Sequence, residues 1–218
     1  MFKKNKYVII KQAINKDLAT FIYNYFLMKR QVYDTCRQAR YISPFENILG
    51  YYEAEDEQIP HTYSCYSDIA METLMLKCQP EMEKATGLKL YPAYTYARIY
   101  KKGDVLKRHK DRFSCEISTT MNLGGDDWDI YLSPNENVGI PDGKKITTES
   151  KAKGIKVLLK PGDMLVYSGC ELEHWREKFK GKSCGQVFLH YNNKKTPGSQ
   201  QNLFDKRPHL GLPSWFKK

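Results

Sequence analysis

The feature that most constrains this chain is a series of short strand-like segments between residues 88 and 192. "LKLYPAYTYARIY" (88–100), "EISTTMNL" (116–123), "DIYLS" (129–133), "GIKVLLK" (154–160), "DMLVYS" (163–168) and "GQVFLHY" (185–191) follow one another. Gly, Pro and Asp turns separate them. Short strands at this spacing predict a β-sandwich or barrel. In the first segment Tyr94, Tyr96, Arg98 and Tyr100 alternate onto one face, because side chains in a strand repeat with period two.

The residues before Gly87 read differently. "YVII" (7–10) is a short buried strand in prospect. Leu18, Phe21, Ile22, Tyr25 and Phe26 then recur at helical spacing. Residues 40–66 are rich in turns and suit a lid or binding loop. A second helix is expected from an N-cap at Ser67 toward Cys78, kinked or restarted by Pro80 and closed by Gly87. Helices first and strands second make an α+β chain. The expected layout is one domain over 1–218. A mainly helical support region occupies 1–87, a β core 88–192 and a tail 193–218.

A composition of 41% hydrophobic and 13% aromatic residues belongs to a globular protein rather than a disordered one. The apolar run near the start is too short for a secretory signal. Nowhere do roughly 18–20 apolar residues follow one another, as a membrane span requires. The six cysteines form no C-x-x-C pair and read as free thiols of a reducing compartment, so a cytoplasmic location is expected. The net charge of +10 is spread over the whole length and accompanies no nucleic-acid-binding motif. It reads as a solvated basic surface, and the acidic run "EAEDE" at 53–57 interrupts it.

The chemistry-bearing residues cluster in two places. In "VLKRHKDRF" (105–113), His109 and Asp111 project to one face if the segment is extended. Later, "KPGDMLVYSG" (160–169) begins with a Pro-Gly pair that favours a type II turn. That turn launches an apolar strand, and "HWRE" follows with His174. Two imidazoles and one carboxylate are the facial ligand set of non-haem iron(II) oxygenases. Zinc also accepts such ligands, usually in tetrahedral sites.

The ordered set "YARIYKKGDVLKRHKD" (95–111), "KPGDMLVYSG", "HW" (174–175) and "GQVFLHY" resembles the iron(II)/2-oxoglutarate-dependent dioxygenases, in particular their prolyl 4-hydroxylase-like branch. The resemblance covers roughly 88–192, with a weaker echo in the N-terminal strand and helix. It implies a double-stranded β-helix, the jelly-roll or cupin-like core, with N-terminal helices packed outside. It also implies that His109, Asp111 and His174 bind Fe(II) and serve catalysis. The cofactor set would be Fe(II), the cosubstrate 2-oxoglutarate and O2, with ascorbate as an optional addition. The implied reaction hydroxylates a C–H bond and releases succinate and CO2.

One element of that family pattern is missing. Its members usually place a Lys or Arg for 2-oxoglutarate on the final strand, where this chain has Cys184. Arg176 is the favoured substitute. It lies two residues after His174 and shares its face on a strand, and a guanidinium grips a carboxylate through two parallel hydrogen bonds. Lys182 is the alternative anchor, nearer the turn. Tyr100 matches a cosubstrate-binding tyrosine of similar enzymes. Arg98 needs an anion or carboxylate partner if buried, and is a substrate-site candidate. His190 is expected to be packed or pocket-lining, Trp128 to anchor a loop, and Cys115 and Cys170 to be buried thiols. The tail is expected to fold back through Leu210, Leu212, Trp215 and Phe216, or to form a contact segment.

A protein or peptide is the leading substrate class, then a small molecule, then nucleic acid. A nucleobase demethylase would carry extra arginines on the last strand, and "GQVFLHYNNKK" carries none. The rival readings are a non-catalytic β-barrel module that binds metal or ligand, and a basic nucleic-acid-binding domain without metal.

Overall fold

The computed structural model describes residues 2–43, 45–139 and 147–217. A short helix α1 (Phe2–Asn5) leads into β1 (Tyr7–Ile10) and the long helix α2 (Lys16–Gln38). Strands β2 (Tyr51–Tyr52) and β3 (Tyr63–Tyr66) precede helix α3 (Ile69–Thr86). The β-rich part follows: β4 (Leu90–Lys101), β5 (Leu106–His109), β6 (Ile117–Gly125), β7 (Ile130–Leu132) and β8 (Ile155–Val157). It ends with β9 (Met164–Ser168), β10 (His174–Arg176) and β11 (Ser183–Asn193).

The strands form two antiparallel sheets. The larger has the order β1-β9-β6-β11-β4-β3-β2 and the smaller the order β5-β10-β7-β8. This is the two-sheet, helix-flanked arrangement expected of a jelly-roll core. The large sheet is not confined to 88–192, because β1, β2 and β3 join it from the N-terminal region. As an edge strand, β1 is only partly buried rather than buried, and Ile9 is 38% exposed.

Helix α2 begins where the Asn15 side chain accepts a hydrogen bond from the Leu18 amide. Its buried stripe is Ala19, Ile22, Phe26 and Tyr33, with Leu18 and Tyr25 at the margin. Phe21, expected in the stripe, is 70% exposed because the buried face centres on Ile22 and Phe26, about 100° or more around the helix from it. Burial of Phe26 alone contributes about 1.5–3 kcal/mol. The helix crosses β6 and β11 closely at Gly124 and Gly185, where any Cβ would run into the Tyr23 ring.

The second helix corrects two expectations. Asp68, not Ser67, is its N-cap and accepts from the Met71 amide. Pro80 does not interrupt it. Pro80 lies on the exposed face, where water can satisfy the carbonyl that a proline leaves without a donor. Gly87 ends the helix in the left-handed conformation at φ 72°, as expected.

The tail folds back as expected but by a different device. Leu210 packs against the main core, whereas Trp215 and Phe216 stay about half exposed. Arg207 holds the segment through a buried ion pair with Glu72 at 2.8 Å and hydrogen bonds to the Ala93 and Leu212 carbonyls. No described helix is long and apolar enough to cross a membrane.

Candidate active site

Two short strands of the small sheet bring the histidines together. His174 on β10 is registered directly opposite His109 on β5, and the ring centroids are 4.1 Å apart. β5 ends at His109, so Asp111 lies just beyond the strand rather than on it. Its amide is held by the Gly169 carbonyl at 2.8 Å. Oδ1 of Asp111 is 3.5 Å from Nε2 of His174 and 3.7 Å from Nε2 of His109. One ion with ligand bonds of about 2.1 Å spans such separations.

Each ligand atom is aimed by a second contact. Nδ1–H of His109 donates to the Lys107 carbonyl at 2.7 Å, and Nδ1–H of His174 to the Leu172 carbonyl at 2.9 Å. Those bonds select the tautomer that leaves both Nε2 lone pairs facing Asp111. Ser118 donates to Oδ2 of Asp111 at 2.7 Å and also meets Nδ1 of His190 at 3.0 Å. A Cβ at Gly169 would collide with that same carboxylate oxygen. The two strands are clamped by Glu173, which is fully buried and receives Arg108 at 3.2 Å and Ser150 at 2.8 Å.

The electrostatics suit a cation. Burial, then the neighbouring His174, pulls His109 down to about 3, so its imidazole is neutral. Burial pushes the Asp111 carboxyl up, but His174 and His109 outweigh it and hold the group well below the ordinary range. The three side chains form one of two clusters of metal-ligand type among the described residues. The other, Asp111 with Cys115 and His190, shares the same aspartate.

The triad lies in a cavity of about 530 Å³ between the sheets. Tyr94, Tyr96, Arg98 and Tyr100 of β4 line it together, as their alternation predicts. Arg98 is buried and pairs with Asp56 at 2.5 Å, which supplies the carboxylate partner it needs. His190 lines the cavity, and Trp128 anchors its loop by donating to the Glu177 carbonyl at 2.7 Å.

Arg176 is 1% exposed and lies behind the cavity wall, near Tyr100, Tyr167 and Cys184. It donates to the Trp128 carbonyl at 2.5 Å and to Thr120 at 3.1 Å. No carboxylate pairs with it among the described residues, and its Nε has no partner. The Tyr100 hydroxyl, in the same region, is buried without a partner too. Lys182 is not brought to the site. Its side chain is exposed at the turn, and only its amide is engaged, by Asp126. Cys115 is buried, Cys170 only partly so, and all six cysteines are free.

Sequence reasoning missed Ser118, Gly169 and the Arg108–Glu173 clamp. It also missed that the acidic run 53–57 lines the cavity. No local pattern marks these residues, because Gly169 and the Arg108–Glu173 pair act across about 60 positions and Ser118 reaches Asp111 only through the turn of the chain into β6.

No family model matches the chain, and no curated protein matches it significantly. Solved structures do match. A Pseudomonas putida prolyl-4-hydroxylase aligns with 14% identity and a TM-score of 0.51, over 88% of this chain and 95% of that one. HygX from Streptomyces hygroscopicus, solved with nickel, 2-oxoglutarate and hygromycin B, gives 12% identity and a TM-score of 0.58, over 89% and 85%. The epimerase SnoN, solved with Fe3+, alpha ketoglutarate and nogalamycin RO, gives 10% and 0.62, over 88% and 80%. At these identities the likeness concerns the backbone, and on that ground the chain has the jelly-roll fold of the 2OG-Fe(II) oxygenases.

Proposed function

We propose that the chain is an Fe(II)- and 2-oxoglutarate-dependent dioxygenase that hydroxylates a C–H bond. The observation that carries this reading is the convergence of two Nε2 atoms and one carboxylate oxygen in a cavity beside a buried guanidinium that lacks a carboxylate. The donor set is the one that non-haem iron(II) oxygenases use. The unpartnered atoms of Arg176 and Tyr100 fit an anionic cosubstrate. Both also fit the fold shared with structures solved with 2-oxoglutarate.

When bound, iron, 2-oxoglutarate and O2 supply the oxidising chemistry, with succinate and CO2 as co-products. The chain's own residues hold and orient. His109, Asp111 and His174 would hold the metal, and the carbonyls of Lys107 and Leu172 fix the tautomers of the two imidazoles. Arg176, behind the wall at Tyr100, would supply the charge for the distal carboxylate of the cosubstrate, and the Tyr100 hydroxyl, which lines the cavity, would donate to it. Leu106, Ile130 and Phe188 give the same cavity an apolar side beside the reacting groups.

A protein or peptide remains the leading substrate class. A nucleic acid is disfavoured, because Glu53, Glu55 and Glu57 at the mouth repel a polyanion. The absence of a basic residue at Cys184 favours a binding module without 2-oxoglutarate chemistry, and Arg176 nearby offers another source for the missing charge. The free thiols suit a cytoplasmic setting.

The test is an anaerobic titration of the Fe(II)-loaded protein with 2-oxoglutarate. A saturable visible metal-to-ligand charge-transfer band, lost in His174→Ala, is expected. Bound iron with no band would sink the proposal in favour of the binding module.

A further inference from the structure

The mouth of the cavity is charged against the rest of the molecule. The chain carries +10 overall, yet four of its 25 acidic residues fall within positions 53–57, and all four line the cavity. Asp56 is spent on Arg98. Glu53, Glu55 and Glu57 are exposed and have no ion-pair partner among the described residues. Behind them stands a wall of tyrosines. Tyr51 and Tyr96 meet edge to face at 6.4 Å, and Tyr66 and Tyr94 stack at 5.1 Å. These rings already accept cations from the chain itself. Arg98 lies 4.9 Å from the Tyr96 centroid, Arg112 5.2 Å from Tyr94 and Lys217 5.5 Å from Tyr66.

Three basic groups also line the mouth, and their places decide the sign. Arg98 is neutralised by Asp56, and Lys217 by Asp205 at 2.7 Å. Arg112 alone is without a carboxylate among the described residues. It sits at the Tyr94 end of β4, whereas the acidic run meets the Arg98 end. Four residues of strand separate those ends by roughly 13 Å, more than a Debye length in physiological salt. None of the three lining cations therefore cancels the acidic lip, and Lys107, whose amide meets the Gln58 carbonyl, is exposed and lies outside the cavity lining. That the cavity receives ligands is indicated by the buried and unpartnered Tyr100 hydroxyl, which lines it, and by the three clustered ligand side chains, the features that also carry the oxygenase reading.

We infer that the substrate carries an alkyl ammonium or guanidinium group, which Glu53, Glu55 and Glu57 draw onto the tyrosine wall at the Arg98 end of the cavity. It rests on the oxygenase reading of the cavity as a reaction site, while the cation preference itself is measured without iron or 2-oxoglutarate. An aromatic wall with carboxylates at its lip favours a cation over a neutral group of the same shape. The same chemistry can arrive on a free polyamine or on a lysine or arginine side chain of a peptide.

Calorimetry on the whole chain separates the cases. The probes are spermidine, acetyl-Gly-Lys-Gly-amide, and the same peptide with norleucine or glutamate in place of lysine. At low salt at least one cationic probe should bind about tenfold tighter than the norleucine peptide, and the preference should shrink at high salt. Spermidine alone identifies a free amine, and the lysine peptide alone identifies a polypeptide side chain. The triple variant E53Q/E55Q/E57Q changes only exposed side chains and should erase the preference, while R112Q should keep it. Equal binding of neutral and cationic probes, or a preference that survives the triple variant, would overturn the inference. The charge-transfer band reports separately. A band without cation preference removes this inference alone, and cation preference without a band removes the oxygenase reading alone.

Discussion

The floor and the rim of the cavity are built in opposite ways. At the floor, His109 and His174 sit on paired strands, and backbone carbonyls fix both imidazoles. At the rim, residues 53–58 and the tail contribute side chains from irregular backbone, and many of them are exposed. The floor is thus positioned by backbone pairing. The rim is positioned by a few ion pairs, Arg98 with Asp56 and Arg207 with Glu72. A reaction centre needs the first kind of construction, because reacting atoms must be held within fractions of an ångström. Substrate choice tolerates the second kind, which changes with little effect on the floor.

The strongest way to break this division is at the floor. Asp111→Ala removes the carboxylate that both imidazoles face. Metal affinity should fall by more than about 100-fold, beyond the loss usual for outer partners of metal ligands. Equilibrium dialysis against Fe(II) or Ni(II) checks it, with circular dichroism to confirm the fold. Retained affinity would mean that Asp111 is not a ligand. Next in size is a rim variant, Arg207→Leu. Leaving Glu72 buried without its partner should cost about 3–5 kcal/mol of stability, read from denaturant unfolding. If the division holds, variant protein that remains folded binds metal as tightly as the parent chain. A joint loss would show that floor and rim are one cooperative unit.

The same division explains what could be read from sequence. The β4 face was legible because period-two alternation is a local signal, and Tyr94, Tyr96, Arg98 and Tyr100 do share one cavity wall. His109 and Asp111 were legible as a pair with one residue between them, and His174 through its place after the Pro-Gly turn and strand. Gly162 adopts φ +91° in that turn, as the Pro-Gly pair requires. Ser118 was not legible, because its role depends on β6 passing beside Asp111, seven residues away and in the other sheet. Phe21 was misplaced because helical spacing fixes a stripe only to within one or two positions. The acidic run was seen as composition, and nothing local says that it folds over the cavity mouth.

Two further variants sharpen the cosubstrate end. Arg176→Leu should weaken 2-oxoglutarate binding about 100-fold or more, as expected when one partner of a buried charge pair is removed. Metal affinity should stay within a few-fold, because Arg176 touches none of the three ligand side chains. An unchanged 2-oxoglutarate titration would refute the anchor. Ser118→Ala should act on the opposite quantity. It deprives Asp111 of the hydrogen bond at 2.7 Å, and metal affinity should drop about 10- to 100-fold with cosubstrate binding measured at saturating metal nearly unchanged.

The smallest expected effect discriminates between the two anchors that the sequence left open. Lys182 is exposed, and its ammonium has no ion-pair partner among the described residues. Its amide and that of Ser183 are held by Asp126, so the backbone of the turn does not depend on the lysine side chain. Lys182→Ala should therefore alter stability by less than about 0.5 kcal/mol, the range of ordinary surface substitutions. It should also leave the 2-oxoglutarate titration where it was. A shift comparable to that of Arg176→Leu would mean that the turn folds inward when the cosubstrate binds. The anchor would then belong to a loop that moves, and the contrast between a strand-fixed floor and an adjustable rim would have to be redrawn through the cosubstrate site itself.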